Sequence, residues 1–179
     1  MSWGRDTPTV LAVDDLEDYL ELYEYRLDDA YDVRTAGDGE TALAAVSDDV
    51  DVVLLDRDMP GLSGDDVLAE IRDAGYDCRV AMVTADEPED DVVDLGYDAY
   101  VEKPVSEAEL NEVVDRLVRI AAYLDAVDDY HAACERRAKQ GVEHVDGRIQ
   151  EHRERVDALA DEFDDADYRV VFRDLDHAP

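Results

Sequence analysis

Lysine is almost missing from this 179-residue chain: two lysines stand among 17 basic residues, against 50 acidic ones, for a formal charge of −33. A surface of that sign repels itself at low ionic strength and is relieved by screening, so the composition fits a protein of a salty cytoplasm. The acids are spread along the chain rather than gathered into a block, which disfavours a nucleic-acid mimic or a loose cation buffer. Hydrophobic residues still make up 46% of the sequence, which excludes a disordered acidic tail. Cysteine is scarce too, and Cys78 and Cys134 stand in neither a metal-binding spacing nor a disulfide framework. His131, His144, His152 and His177 lack zinc-ligand spacing. No apolar run approaches the ~18 residues of a membrane span, and Met1 to Pro8 has no apolar run behind positive charge. The expectation is a soluble, cytoplasmic protein with no membrane partner, one α/β domain long with a small appendage.

From residue 9 to about 120, short apolar runs alternate with helical patterns, the habit of a parallel sheet with helices on its faces. Thr9–Val13 reads as a first strand, followed by Leu16, Tyr19, Leu20, Tyr23 and Leu27 at helical spacing. Tyr31–Thr35 is a more polar edge strand, and Gly39–Val46 a second helix. Val50–Leu55 is nearly all apolar, as a strand buried on both faces should be. A third helix spans Asp65 to about Ala74, with Gly75 as its cap. Arg79–Val83, a weak helix over about 89–95, and Gly96–Val101 complete five strands. Ser106 and Glu109 then form a capping pair for a fifth helix, whose stripe Leu110, Val113, Leu117, Ile120, Leu124 and Val127 outlasts one domain. A boundary near Ala121 follows, with domains at 7–121 and 122–179.

The notable polar residues fall at strand ends: Asp14 and Asp15 after the first, Asp56 after the third, Thr84 after the fourth and Lys103 after the fifth. In an open parallel sheet that edge is where sites form. Carboxylates on adjoining strand ends repel unless a cation joins them, and an oxygen-rich, water-accessible set suits Mg²⁺. One carboxylate can then attack a phosphoryl group, and Asp56, ahead of a Gly-rich loop, is the natural nucleophile. Thr84 and Lys103 would supply a hydroxyl donor and a fixed positive charge to the phosphoryl oxygens. Taken singly, any one acid here reads first as a solvated helix start. Lys103 is harder to dismiss, being the single lysine of the first 120 residues and standing directly before Pro104.

The pair Asp14-Asp15, the run Leu54-Leu55-Asp56-Arg57-Asp58-Met59-Pro60-Gly61, the segment Val83-Thr84-Ala85 and the run Tyr100-Val101-Glu102-Lys103-Pro104 resemble the motifs of a response-regulator receiver domain, the two-component signalling module. The resemblance implies a flavodoxin-like, doubly wound five-stranded parallel sheet of order 2-1-3-4-5. It implies phosphorylation of Asp56 by a histidine kinase, Asp15 as a Mg²⁺ ligand with Asp14 close by, and the backbone carbonyl of Asp58 as another ligand. Thr84 and Lys103 would contact the phosphoryl group, and Tyr100 would be the switch aromatic, shifting the face formed by the fourth helix, fifth strand and fifth helix. An acidic residue at position 58 is less usual beside such a site. The implied role is a phosphoacceptor, not an enzyme in the ordinary sense.

Beyond residue 122 the pattern stays helical, with a second stripe at Val142, Val145, Ile149, His152, Val156, Leu159 and Phe163 after Gly141. A helical hairpin is the first expectation and a dimeric coiled coil the second. Arg169–Phe172 offers one strand-like piece, or the end stays loose. This C-terminal helical extension is similar to the HalX domain of haloarchaeal regulators. Residues 121–179 hold 16 acids and 8 Lys or Arg, a net charge of 8 − 16 = −8. DNA contact through Arg136, Arg137 and Lys139 is therefore not favoured, and protein binding or self-association into a homodimer is the expected output.

Overall fold

The structure, a computed structural model, describes residues 7–85, 96–140 and 146–176. Five parallel strands, β1 Thr9–Val13, β2 Asp32–Ala36, β3 Val52–Leu55, β4 Arg79–Thr84 and β5 Ala99–Glu102, form one sheet of order β2-β1-β3-β4-β5. The connecting helices are α1 Glu17–Leu27, α2 Gly39–Ala45 and α3 Gly64–Asp73, and α4 Glu107–Gln140 follows β5. The helix expected over about 89–95 lies outside the described residues.

Burial follows composition strand by strand. β1, β3 and β4 are wholly buried and almost wholly apolar, whereas the edge strand β2, Asp-Val-Arg-Thr-Ala, is largely accessible. Alternate residues of the central strands, Leu11, Val13, Val53, Leu55, Val80 and Met82, join Ala42 of α2 and Val67, Leu68 and Ile71 of α3 in one core. On the α1 side, Arg26 donates to the Val105 carbonyl at 2.9 Å, and the Tyr31 hydroxyl donates to Asp115, so α1 is tied to the turn before α4 and the residue before β2 to α4 itself.

Helix starts are set by side chains. Ser63 and Asp66 form a reciprocal capping box on α3, Ser106 and Glu109 do so on α4, and Asp38 accepts from Thr41 N–H on α2. Gly75, at φ +79°, ends the α3 turn in a conformation only glycine adopts cheaply. Strand β3 begins two residues later than expected. Val50 N–H bonds back to Ser47, and Asp51 turns its carboxylate to Thr9 N–H at 2.7 Å.

The chain divides into two units, one ending at Val118 and the other starting at Arg119. α4 is continuous through that point. In its first part Leu110, Val114 and Leu117 are buried and Val113 only half-buried, so the buried stripe is rotated by one residue from the expected one. In the second unit, Ile120, Ala122, Ala126 and Ala133 of α4 are buried while Leu124 and Val127 are half-buried.

Two more helices follow, α5 Asp146–Ala160 and α6 Asp165–Asp176. Arg155 lies 3.9 Å from Asp129, the Phe163 ring 4.9 Å from that of Tyr123, and Asp167 4.0 Å from Arg119. The partners ascend along one segment as they descend along the other. Residues 141–145, including Val142 and Val145 of the expected stripe, lie outside the described residues.

The strand-like reading of Arg169–Phe172 is corrected: these residues are inside α6. Asp164 and Asp167 exchange backbone-to-carboxylate hydrogen bonds of 3.0 and 2.9 Å, which caps the helix and overrides the β-branched pair. Buried Asp167, Val170 and Val171 then share one helical face.

Candidate functional site

The order of the sheet reverses between β1 and β3, and the C-terminal ends of those two strands open a crevice between divergent connections. Asp14 is the first residue beyond β1 and is fully buried. Its Oδ1 accepts Leu16 N–H at 3.0 Å, which aims the carboxylate across the strand end. Asp15 beside it is exposed. Asp56 directly follows β3 and is held by its own N–H, which donates to the Val13 carbonyl at 2.9 Å. Behind it, α3 begins so close that a Cβ on Gly64 would lie 2.3 Å from the Asp56 carbonyl oxygen. Glycine at 64 therefore lets the loop fold tightly under the carboxylate.

One carboxylate oxygen from each of Asp14, Asp15 and Asp56 lies within 4.8 Å of the others. Into this cluster Lys103, bonded through its N–H to the Thr84 carbonyl at 2.8 Å, extends its side chain. Lys103 Nζ donates to Asp14 Oδ2 at 2.6 Å and to Asp56 Oδ1 at 3.0 Å, with the lysine side chain only 7% exposed. Two of the three clustered carboxylates thus share one ammonium, and Asp15 stands beside them.

The electrostatics follow from that count. Burial raises the Asp56 carboxyl above the usual carboxylate range, Lys103 opposes this, and Asp14 and Asp15 push it further up. Burial by itself would lower the Lys103 ammonium, but hydrogen bonds and attraction from Asp14 and Asp56 raise it above its ordinary value, so it stays charged. The pocket is short of positive charge, and its donors are all oxygens.

Thr84, fully buried, ends β4 with its hydroxyl 3.5 Å from Asp58 Oδ2, the long limit of a hydrogen bond. Asp58 itself is exposed. Tyr100 sits on β5 opposite Met82, half-buried against the core, its ring tilted at 6.3 Å from that of Tyr97. It is thus separated by β4 from β3, the nearer strand of the acidic cluster, rather than in the cluster.

The sequence reading missed one neighbour of the site. The ring of Tyr19, in the first turn of α1, lies 4.2 Å from Lys103 Nζ. Helical spacing marks Tyr19 only as an inward residue. The sole hint is its position just after the acidic pair, on the helix that leaves the site.

A doubly wound sheet of this order, with carboxylates and an ammonium gathered at its switch point, defines a CheY-like α/β domain. The chain belongs to the family of the response regulator receiver domain, whose model matches residues 10–115. A Haloferax volcanii protein, named provisionally as a transcriptional regulator, is 52% identical over 124 residues, 69% of this chain and 21% of that protein. The transcriptional regulatory protein PhoP for alkaline phosphatase synthesis in Bacillus subtilis is 38% identical over 62% of this chain and 48% of its own length. The chain therefore spans from about a fifth to about half the length of these curated relatives. Among solved structures, a signal receiver domain from Vibrio parahaemolyticus superposes with a TM-score of 0.63 at 27% identity, over 68% of this chain and 97% of that one. The response regulator TrrA from Thermotoga maritima, solved with Mg²⁺ and a beryllium fluoride, gives 0.56 at 34% identity, over 62% of this chain and 99% of that one. Among the described residues no helix is long and apolar enough to cross a membrane.

Proposed function

We propose that this chain is a cytoplasmic response regulator that accepts a phosphoryl group on Asp56 from a phosphohistidine of a histidine kinase. The observation that carries the reading is the Lys103 ammonium bridging Asp14 and Asp56 at the switch point. A structural ion pair needs one carboxylate for one cation. An excess of carboxylate around a single lysine suits a site that takes up more positive charge and then a phosphoryl group.

A Mg²⁺ ion fits this donor set of clustered carboxylates, one of them exposed to water. Asp14, Asp15, Asp56 and the backbone carbonyl of Asp58 would hold it. When bound, it supplies charge that keeps the carboxylates ionised and offsets that of the phosphoryl oxygens. In the transfer, an Asp56 oxygen forms a bond to phosphorus as the phosphorus–nitrogen bond to the donor imidazole breaks. The imidazole leaves with that electron pair and takes up a proton. The Lys103 donor on Asp56 passes to a phosphoryl oxygen, and the Thr84 hydroxyl leaves Asp58 to donate to another. Hydrolysis by water later restores the carboxylate, so the chain signals rather than turning over a substrate.

Drawing Thr84 inward vacates space beside β5 that Tyr100 fills, and the face made by β5 and the start of α4 moves between two arrangements. The receiver occupies 7–121, and 122–179 is a HalX-like helical hairpin through which the signal passes by protein binding or homodimer formation. The names of the relatives favour a second reading, transcription control, but the tail's net charge of −8 argues against direct DNA contact by it. Intact-mass measurement in high salt with acetyl phosphate tests the reading. Wild type is expected to gain one phosphoryl mass only with Mg²⁺, and Asp56→Asn none; equal labelling of the two proteins would refute it.

A further inference from the structure

We infer that Tyr19 is a positioning residue for this chemistry, its ring face holding the Lys103 ammonium in place while the ammonium changes hydrogen-bond partners. The inference rests on the reading of Asp56 as phosphoacceptor. Lys103 Nζ has three donors. Two are committed to Asp14 and Asp56, and the Tyr19 ring covers a further side at 4.2 Å from its centroid. With the lysine side chain 7% exposed, little water is at hand to take over when one carboxylate contact is given up.

A ring face attracts a cation through its quadrupole without presenting a directional acceptor. The ammonium can therefore turn one N–H from Asp56 Oδ1 to a phosphoryl oxygen without losing its hold on the ring. A carboxylate in the place of Tyr19 would compete with the phosphoryl oxygens and add negative charge to a pocket already short of cation. An aliphatic side chain would fill the volume and hold nothing. The ring is itself steadied. Tyr19 stacks on Tyr23 at 6.0 Å and 30°, and Tyr23 is 1% exposed, with a hydroxyl that has no hydrogen-bond partner among the described residues. Tyr23 thus serves the site as a rigid backing ring.

The scarcity of lysine makes the test direct. Lys103 and Lys139 are the only lysines of these 179 residues, so this chain carrying carbon-13 at lysine ε positions gives two NMR signals. In wild type and Tyr19→Phe the Lys103 ε protons are expected upfield of those of Lys139 through the ring current, and in Tyr19→Leu they return towards the Lys139 position. With acetyl phosphate and Mg²⁺, Tyr19→Leu should lower the maximal labelling rate roughly tenfold, with the half-saturating acetyl phosphate unchanged, while Tyr19→Phe restores the rate. An unshifted Lys103 signal in wild type, or wild-type labelling by Tyr19→Leu, overturns the inference. If Tyr19→Leu does not fold, phenylalanines of rising fluorine content at 19 decide. The rate should fall with each fluorine as the ring face weakens, and a flat series overturns the inference. Absence of labelling in wild type would instead bring down the phosphoacceptor reading and this inference with it, the NMR signals still reporting whether the ring contact exists.

Discussion

At the amino-terminal end of the sheet, the enclosed Asp98 carboxylate meets two guanidinium groups, Arg72 at 3.2 Å and Arg79 at 3.4 Å, and the Val80 N–H at 2.6 Å. At the opposite end, three carboxylates cluster around one ammonium that pairs with two of them, Asp14 and Asp56. Both clusters bury charge, but the first is over-supplied with cations and donors and the second is under-supplied. Arg72 also donates to the carbonyls of Tyr76, Cys78 and Gly96, and Arg79 to that of Asp77, so the first cluster ties the end of α3 to the entries of β4 and β5. A cluster satisfied on every side has nothing left to offer a ligand. The under-compensated one sits where the sheet order reverses, and there the cost of unpaired charge is an affinity for something else.

This contrast can be broken by mutation, and the expected effects differ in kind. Asp56→Asn should remove all labelling while leaving the melting temperature unchanged or higher, because it takes one charge from a crowded pocket. Asp98→Ala should cost about 3–5 kcal/mol of stability, the usual penalty for stranding buried charges. Denaturant midpoints check it, and a loss below about 1 kcal/mol would show that the pairing is not structural. Asp15→Asn, at an exposed carboxylate, should change stability by less than about 0.5 kcal/mol but raise the Mg²⁺ needed for half-maximal labelling roughly tenfold or more. Calorimetric titration reads that directly.

The smallest effect belongs to Arg34 and Asp49, paired at 2.6 Å on the exposed edge. Hydrogen bonds from Arg34 and Ser47 hold the Asp49 carboxyl below the usual range. Its folded pKa is depressed, so the contribution is present above the unfolded value near 4 and is lost as pH falls through the folded one. The melting difference between wild type and Asp49→Asn should therefore be slight at neutral pH and fade as the solution is acidified below about pH 4.

How much of this was legible in the sequence depends on whether the determinant is local. Strand β1 begins and ends where its apolar run does, and the strand-terminal positions of Asp14, Asp56, Thr84 and Lys103 could be read off because each follows such a run. The structure gathers Asp14, Asp15, Asp56 and Lys103 together, places Thr84 beside Asp58, and leaves Tyr100 two strands from β3. The Asp98 cluster was invisible. In a chain with 50 acids, nothing local distinguishes the one that two distant arginines enclose. Tyr19 over Lys103 is likewise a side-chain contact that periodicity does not encode. In α6 the β-branched pair Val170-Val171 pointed one way and the Asp164–Asp167 cap the other, and the cap prevailed.

The central claim is that the under-compensated end of the sheet exists to receive a phosphoryl group on one carboxylate. Protein treated with acetyl phosphate and Mg²⁺ in high salt, reduced with borohydride to trap any aspartyl phosphate, and mapped by peptide mass spectrometry tests it most directly. The account predicts that position 56 alone is converted to homoserine. Conversion at Asp14, Asp15 or Asp58 with position 56 unmodified would contradict it.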